Sequence, residues 1–422
     1  MTFCKQQAGQ KNFLARHRER QPRSRTVMPD VTVAADFGAS LARAIFSLDS
    51  QSQALKPELM LIAPQVLRVP SKSIENYEKY KLGNSTPENS AWVKLGNDYY
   101  AIGHLAKTHF NAVHCLESLK IDSAIPQLLA IVGGIAQSKE MGNSFSLSLG
   151  ILLPWGEYTD RERFESYIKQ ALSGFCFRGK EYFVTLESFT CLPEGAGLFA
   201  RGRVPHKGGD RLRNARELNI AVLMIGYRNA SILFIEKGAL SWGYTENYGF
   251  SRMVEKVQQF TSGQKAERLV EVICSGSKPS KRTIAGLVRT NMMELREQEM
   301  QEIAAAIADA KQEYIAILTN WLKQRLPDCL DEIIVNGGTA RYLQPELTQF
   351  FKTLGAGATN WCNSLDERVV KTFGDLVRAQ HLQSRLLDAY GLFFQLHNRP
   401  LPRLRDTVET AEEAHHDEAR VS

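Results

Sequence analysis

Paired cysteines, long apolar runs and a signal peptide are all missing from this chain of 422 residues. The seven cysteines are scattered, and none lies in a CxxC pair, which is typical of reduced thiols. The chain has no run of about 18 apolar residues, the rough minimum for a membrane-spanning helix. Its N-terminus lacks the apolar core of a signal peptide, so we expect no export. These absences predict a cytoplasmic protein.

Common signatures of a nucleotide or metal site are also missing. No GxxxxGK[ST] motif occurs, which excludes a Walker-type P-loop. The basic stretch SGSKPSKRT, residues 275–283, has the wrong spacing for such a loop and is interpreted as a surface loop. His104, His109 and His114 recur every five residues, so they do not share one face of a helix. We therefore predict no histidine metal site.

The overall composition is that of an ordinary globular protein, with 43% hydrophobic, 23% charged and 9% aromatic residues. A chain of this length suits two domains better than one core.

The formal net charge is +6, with much of the excess in the first 28 residues. Residues 1–30 are predicted to be a disordered basic arm that contacts nucleic acid, an acidic membrane surface or an acidic partner, or is a solvated tail. Residues 399–422 are predicted to be a polar tail.

One pattern occurs twice: an apolar run, a turn with glycine, and a second apolar run. AADFGASLARAIF, residues 34–46, is predicted to form a strand, a turn and a strand. LNIAVLMIGYRNASILFIEKG, residues 218–238, repeats that order. Such repetition predicts two similar halves that face one cleft. A basic, glycine-rich linker, residues 201–216, lies between them.

The same pattern predicts domain limits. We expect a first domain over residues 31–205 and a second over residues 206–374. The second includes a helical subdomain, residues 250–328, in which apolar residues recur at three-and-four spacing. A last apolar helix, within residues 375–398, is expected to return to the first domain. Pro193 is expected to begin a helix, because proline is favourable in a first helical turn.

The first turn carries residue types that can hold a metal-bound phosphate. Gly38 lets the backbone approach phosphate oxygens closely. Asp36, at the end of a strand, offers the hard oxygen ligands that Mg²⁺ prefers. Ser40 adds a hydroxyl group, and Arg43 can neutralise phosphate charge. The alternative is an ordinary hairpin turn in which Asp36 bonds to nearby backbone.

In the order and spacing of these and later motifs, the chain resembles the actin-like ATPase superfamily, and most of all its bacterial ParM/StbA branch. The resemblance covers residues 31–398. The first phosphate loop of the family, Asp-x-Gly-x-Ser-x-x-Lys, matches the first turn, with arginine in place of lysine. The acidic residue before a connecting helix matches Glu194 in LPEGAG. The adenosine motif, a strand followed by glycines, matches Gly337, Gly338 and Thr339 in IIVNGGTARYL.

The resemblance implies roles for these residues. Glu194 would orient the attacking water, and the alternative is an acid favoured by a helix N-terminus. The glycines would lie against the nucleoside, and the alternative is a turn at a helix start. The last connecting helix of the family matches DAYGLF, with Ala389 and Gly391 as its small residues. Residues 265–271, KAERLVE, are a candidate border of the nucleoside.

The implied fold is α/β. It consists of duplicated actin-like, or ribonuclease-H-like, domains around a nucleotide cleft, each a mixed five-stranded sheet flanked by helices. The implied ligand is ATP or GTP, together with Mg²⁺ bound through Asp36.

The second turn departs from the family pattern Asp-x-Gly-Gly-x-Thr. In MIGYRNAS, Met224 stands in place of the aspartate, Tyr227 in place of a glycine and Asn229 in place of the threonine, whereas Gly226 is kept. Methionine cannot hold a hydrated Mg²⁺ ion, and tyrosine should crowd the phosphates. We therefore expect altered nucleotide binding and weak or lost hydrolysis. Arg228 is expected to face solvent; the alternative is that it replaces metal charge at the phosphates.

At the level of function, the resemblance implies a filament of many copies of the chain, assembled with nucleotide. Such a filament would position or segregate DNA through a DNA-binding adaptor protein of the ParR type. The alternative is a structural cytoskeletal filament with slow or lost ATPase activity, involved in cell shape or envelope scaffolding. A third hypothesis, a sugar kinase or exopolyphosphatase of the same fold, lacks a sugar-binding aspartate motif between the two phosphate loops.

Overall fold

The computed structural model describes residues 29–48, 55–83, 85–113, 119–201, 215–261, 263–274 and 279–397. Predictions for nearly all of the basic arm, for the polar tail and for most of the linker lie outside these ranges. Among the described helices, none combines the length and the apolar character needed to cross a lipid bilayer.

The described residues form fourteen strands in two sheets. In chain order they are β1 (Val31–Gly38), β2 (Leu41–Leu48), β3 (Glu58–Ile62), β4 (Val66–Val69), β5 (Trp92–Leu95), β6 (Asp98–Ile102), β7 (Ser144–Leu153), β8 (Phe175–Phe177), β9 (Lys180–Pro193), β10 (Asn219–Ile225), β11 (Ala230–Glu236), β12 (Ala239–Glu246), β13 (Glu332–Asn336) and β14 (Thr359–Asn360).

Helices cover both sheets, and a short 3₁₀ turn, Ala215–Glu217, precedes β10. In chain order the helices are α1 (Ser71–Tyr80), α2 (His104–Thr108), α3 (Lys120–Ser138), α4 (Trp155–Tyr158), α5 (Arg161–Leu172), α6 (Ala196–Arg201), α7 (Ser251–Phe260), α8 (Ala266–Ile273), α9 (Lys281–Ala285), α10 (Met293–Arg325), α11 (Gly338–Tyr342), α12 (Gln344–Thr353), α13 (Asn363–Phe373), α14 (Asp375–Ala379) and α15 (Gln383–Leu396).

The two sheets share one connectivity over five strands. The first has the order β3-β2-β1-β7-β9, and the second has the order β12-β11-β10-β13-β14. In each, an antiparallel hairpin is followed in the sheet by parallel strands. This duplication of two mixed sheets flanked by helices confirms the predicted fold class. The first sheet continues beyond β9 through β8, β5, β6 and β4, because the long strand β9 pairs with β7 over most of its length and with β8 at its start.

Each sheet packs its own apolar core. In the first, α3 is apolar around most of its circumference and is buried against the sheet. A Cβ atom on Gly133 of α3 would lie 2.4 Å from the ring of Phe177, so glycine is what lets this helix approach β8. In the second core, α7 and the 33-residue helix α10 cover β10 and β11, where the sequence predicted a helical subdomain.

A third apolar cluster joins the two halves. It combines Ala34 and Leu152 of the first sheet with Val222 and Ile334 of the second, around residues of α15. Helix α15 packs on β1, β2 and β7 and crosses α6 closely. A Cβ atom on Gly391 would lie 2.3 Å from the carbonyl oxygen of Gly197, so the small residue of the last helix permits this crossing.

The expected helix start at Pro193 is wrong. Pro193 is the last residue of β9, paired with Leu153 of β7. Helix α6 begins at Ala196, after a turn in which Gly195 has a φ of 97°. Pro193 can end the parallel ladder, because a residue at the end of a strand does not have to donate an N–H group to the neighbouring strand.

Candidate functional site

The candidate site lies at the carboxyl ends of the parallel strands of both sheets, where α/β proteins commonly bind ligands. A cavity of about 1080 Å³ opens there, slightly larger than ordinary ligand pockets. Its wall includes all of the residues predicted for the site: Asp36, Gly38, Ser40, Arg43, Glu194, Gly226, Gly337, Gly338 and Thr339.

The first turn is tight because β1 and β2 stay paired to Gly38 and Leu41, leaving two residues between them. Asp36 and Arg43 face each other across the hairpin, and Arg43 Nη2 donates to Asp36 Oδ2 at 2.5 Å. A Cβ atom on Gly38 would lie 2.3 Å from Arg43 Nη2. Glycine at position 38 therefore makes room for the guanidinium group to fold back over the carboxylate.

Lys120, the first residue of α3, connects the two predicted acidic residues. Its Nζ atom donates to Asp36 Oδ1 at 2.7 Å, to Glu194 Oε1 at 2.8 Å and to the carbonyl oxygen of Leu152 at 3.1 Å. The Lys120 side chain is only 7% exposed. The three N–H groups of the ammonium thus have three oxygen acceptors from β1, from β7 and from the turn after β9.

The surroundings of Asp36 and Lys120 favour the ionised form of both side chains. Burial by itself raises the pKa of Asp36, but Arg43 and Lys120 together outweigh it, so that pKa lies below its usual value. Burial by itself lowers the pKa of Lys120, and the carboxylates of Asp36 and Glu194 raise it above its ordinary value. A buried ammonium between two carboxylates is therefore the stable state of this site.

Sequence reasoning missed Lys120. One signal was available: a lysine in the first turn of a helix is unfavourable with the helix dipole. Such a lysine is stabilised by acidic partners, and in the structure these are Asp36 and Glu194.

A second missed cation is Arg385 of α15. Its Nη2 atom donates to Ser40 Oγ, and its carbonyl oxygen accepts a hydrogen bond of 2.7 Å from Arg43 Nη1. Burial, together with the nearby Arg43, lowers the pKa of Arg385 to about 10. The last helix therefore brings a further positive charge to the first turn.

The second turn has the same position in its sheet but a different construction. Strands β10 and β11 separate after Ile225, leaving four residues, Gly226–Asn229, before Ala230. Gly226 N donates to Asn229 O at 2.9 Å, which closes the turn. The carbonyl groups of Gly226, Tyr227 and Arg228 accept from backbone N–H groups at residues 249–251 at the start of α7. The turn is therefore held to that helix.

The glycine pair after β13 packs directly against the second turn. Gly337 has a φ of 112°, and a Cβ atom there would lie 2.2 Å from the carbonyl oxygen of Ile225. Thr339 Oγ1 donates to the carbonyl oxygen of Gly226 at 2.8 Å. A glycine is required at position 337, both by the conformation and by the close contact.

Arg228 does not face solvent, so that expectation is wrong. Its Nη2 atom donates to Glu157 Oε1 at 2.9 Å, and the pair is 16% and 6% exposed. Glu157 belongs to α4 on the first-sheet side, and its Oε2 atom also accepts from Ile121 N at 2.9 Å. Glu157 thus connects the second turn, through this ion pair, with the start of α3, through the hydrogen bond to Ile121, one residue from Lys120.

A buried acid supports the turn that carries Glu194. Asp388 of α15 accepts from Gly195 N at 2.6 Å and from Leu198 N at 3.3 Å. Burial, with the nearby charges of Asp36 and Glu194, raises the pKa of Asp388 to about 7. The last helix therefore contacts the first turn through Arg385 and the turn that carries Glu194 through Asp388.

The residues present do not fit the predicted Mg²⁺ ion. Both oxygens of Asp36 are already in ion pairs, with Arg43 and Lys120. Met224 occupies the position in the second hairpin that corresponds to Asp36 and offers no hard oxygen ligand. Within the described residues, no group of three His, Cys, Asp or Glu side chains is placed to hold a metal ion.

Duplicated mixed sheets with a cleft at their carboxyl ends define the actin-like fold, and solved structures of this class match the chain over most of its length. The actin-like protein Alp7A is 14% identical, with a TM-score of 0.55 over 92% of this chain and 98% of that one. A ParM of Bacillus thuringiensis, solved with AMPPNP, is 12% identical, with a TM-score of 0.53 over 87% and 99%.

A third match, the filament structure of Alp12, is 13% identical, with a TM-score of 0.50 over 88% of this chain and 99% of that chain. No model of a protein family matches the sequence, and no curated protein does. These likenesses confirm the predicted actin-like fold.

Proposed function

We propose that the chain is a nucleotide-binding actin homologue that assembles with itself into filaments. The observation that carries the proposal is the convergence of both hairpin turns and the glycine pair on one cavity between duplicated sheets. Two structures of the same fold support it, one a ParM solved with AMPPNP, an ATP analogue, and the other a filament of Alp12.

Within this proposal each part of the cavity has a role. Backbone amides of the first turn, at Gly38 and Ser40, bind phosphate oxygens, because glycine-containing turns expose N–H groups. Gly226, whose own amide closes the second turn, lets the phosphates approach that turn closely. Arg43 and Arg385 neutralise phosphate charge. On the other side, Gly337 and Gly338 border the nucleoside. Helix α8 borders it too, since Val270 and Glu271 line the cavity. Backbone contacts of this kind do not distinguish ATP from GTP.

Glu194 is proposed to orient the attacking water. Its Oε1 atom accepts from Lys120, so the lysine weakens this carboxylate as an acceptor for water. We propose a slow ATPase from this pairing together with Met224 and Tyr227 at the second turn.

For the cellular role, we propose that filaments position or segregate DNA through a separate adaptor of the ParR type. In that case the filament itself need not touch DNA. The basic N-terminal arm is a second candidate contact with nucleic acid or an acidic membrane surface.

A second candidate function is a structural cytoskeletal filament that keeps its nucleotide. The observations that favour it are the replacement of the family aspartate by Met224 and the engagement of Glu194 by Lys120. Such a filament would shape the cell or scaffold an envelope complex.

One experiment separates these functions. Light scattering, phosphate release and negative-stain images are recorded from the same sample of protein with ATP or GTP, with and without Mg²⁺. Filaments with phosphate release support the dynamic segregation role, and filaments without release support the structural role. Absence of filaments under all conditions contradicts both and favours a kinase-like relative of the fold.

Two variants test the residue roles. Asp36→Ala is expected to weaken nucleotide binding, since Arg43 and Lys120 lose the shared partner that positions them at the first turn. Glu194→Ala is expected to bind nucleotide and to hydrolyse it more slowly, with longer-lived filaments. Asp98→Ala is the matched control, because Asp98 pairs with Arg68 at the surface. Equal turnover in Glu194→Ala and the control would show that Glu194 is structural.

A further inference from the structure

We propose that Lys120 is a built-in counter-ion that takes the place of a divalent metal ion between Asp36 and Glu194, so that the cleft binds nucleoside triphosphate without Mg²⁺. This inference rests on the proposed nucleotide-binding function. It concerns the source of positive charge in the cleft and therefore can fail while nucleotide binding holds.

The first argument is geometric. The Lys120 ammonium lies 2.7 Å from Asp36 Oδ1 and 2.8 Å from Glu194 Oε1, and it completes its three donors on the Leu152 carbonyl. These are the two carboxylates expected to face a metal-bound nucleotide. A hydrated Mg²⁺ ion needs their oxygens as acceptors for itself or its waters. A cation that already satisfies those oxygens competes directly with it.

The second argument is electrostatic. The described side chains around Asp36 include three cations, Arg43, Lys120 and Arg385, and two further acids, Glu194 and Asp388. The cluster is therefore balanced when Asp388 is ionised and has an excess of one positive charge when Asp388 is protonated. In neither state does it offer the excess negative charge that would draw a divalent ion into a poorly screened site. A triphosphate meets the cationic groups of Arg43, Lys120 and Arg385 without any metal.

The third argument comes from the second turn. Met224 holds the position in its hairpin that Asp36 holds in the first, with Asn336 beside it as Leu152 is beside Asp36. Neither methionine nor the asparagine amide brings a negative charge. The second turn therefore adds no carboxylate that could hold a divalent ion opposite Asp36.

The test measures ATP binding to the full chain by isothermal titration calorimetry, in excess Mg²⁺ and in excess EDTA, and repeats it with GTP. We expect the dissociation constant to change by less than about threefold between the two conditions, well under the tenfold that corresponds to about 1.4 kcal/mol. Binding in Mg²⁺ that weakens by more than about tenfold in EDTA overturns this inference and leaves the proposed function intact. Absence of binding in both conditions overturns the proposed function, and the inference with it.

A variant assigns the effect to the lysine. Lys120→Gln removes the charge but keeps two donors, and it is expected to lose at least about tenfold in affinity in EDTA and to regain it in Mg²⁺. With Mn²⁺ in place of Mg²⁺, electron paramagnetic resonance should detect ATP-dependent ion binding in this variant and not in the wild type. Unchanged ATP binding by Lys120→Gln in EDTA overturns the role of Lys120.

The matched control is Lys139→Gln, at the other end of the same helix, where the lysine pairs with Glu58 outside the cavity. It should bind ATP like the wild type in both conditions. If Lys120→Gln fails to fold, Lys120→Arg keeps the charge and is expected to bind ATP equally in Mg²⁺ and EDTA. A Mg²⁺ requirement in that variant, or in the wild type, contradicts the proposal.

Discussion

The two hairpin turns of the cleft have equivalent positions in duplicated sheets and opposite chemistry. The first is short and carries a buried network of charges around Asp36 and Lys120. The second is two residues longer, carries Met224 and Tyr227, and is held by backbone hydrogen bonds to α7. Duplication thus preserved the place of both turns in their sheets, whereas the length of the turn and the charges at the hairpin differ between the two halves.

The largest expected effect tests the charged side of this comparison. Lys120→Met leaves the buried Asp36 and the part-buried Glu194 without their shared cation, and we expect a loss of about 3–5 kcal/mol in the free energy of unfolding. Urea denaturation followed by circular dichroism measures it. Lys139→Met, which removes a more exposed pair with Glu58, should cost less than about 1 kcal/mol. Equal losses in the two variants would show that the first turn is not electrostatically special.

The next prediction tests the second turn, which is held by backbone contacts. Gly337→Ala places a Cβ atom 2.2 Å from the Ile225 carbonyl oxygen at a φ of 112°, and we expect a loss of about 2–3 kcal/mol of stability. Gly338→Ala is the control, because its Cβ atom would meet only Arg385 Cγ at 4.0 Å. If the two neighbouring substitutions have the same effect, the contact between the glycine pair and the second turn does not constrain the site.

A smaller effect is expected where the two sides meet. Arg228→Met leaves Glu157 buried without its cation, and we expect a loss of about 1–3 kcal/mol. Hydrogen exchange at the Ile121 amide, which donates to Glu157, should become faster. Arg252→Met, which removes a surface ion pair with Glu255, should leave that amide unchanged. Unchanged exchange in Arg228→Met would mean that the turns are independent.

The smallest expected effect is a pH dependence of stability that comes from Asp388, the buried acid that holds the turn carrying Glu194. The pKa of Asp388 is raised to about 7 from an ordinary value of 3.8, so the folded state binds more protons than the unfolded chain between these values. Stability should therefore fall as pH rises from about 5 to about 7, by on the order of 1–2 kcal/mol from this group.

Denaturation of the wild type and of Asp388→Asn at several pH values measures this contribution. The variant should show a flatter profile, because its side chain does not titrate. Asp366, whose pKa burial raises to about 6, contributes in the same direction and is present in both proteins. Parallel profiles for wild type and variant would contradict the assignment to Asp388.

The candidate site was predictable from sequence to the extent that its residues lie in local motifs. Asp36, Gly38 and Arg43 are close in the chain, so strand alternation and a tight turn bring them together. All of the predicted positions line the cavity. The role of Asp36 as a metal ligand, in contrast, depends on its neighbours, and these include Lys120, 84 residues away in the chain.

Long-range partners account for the other differences. Arg228 was expected in solvent, because arginine prefers surfaces, yet it pairs with Glu157 of the opposite half. The last helix was expected to return to the first domain, but no local signal indicates that Arg385 is the residue that reaches Ser40. Local periodicity carries no information about which helix end meets which strand end.

By itself the sequence determined the duplicated hairpins, the long helices and the glycines of the turns, because these follow from apolar periodicity and from local backbone conformation. Only the tertiary structure decided the charge around the first turn, because Asp36, Arg43, Lys120, Glu194 and Arg385 come from five different segments, which the fold brings within hydrogen-bonding distance of one another. Electrostatic interactions depend on distance in space and on burial, and neither is encoded in the local pattern of the chain.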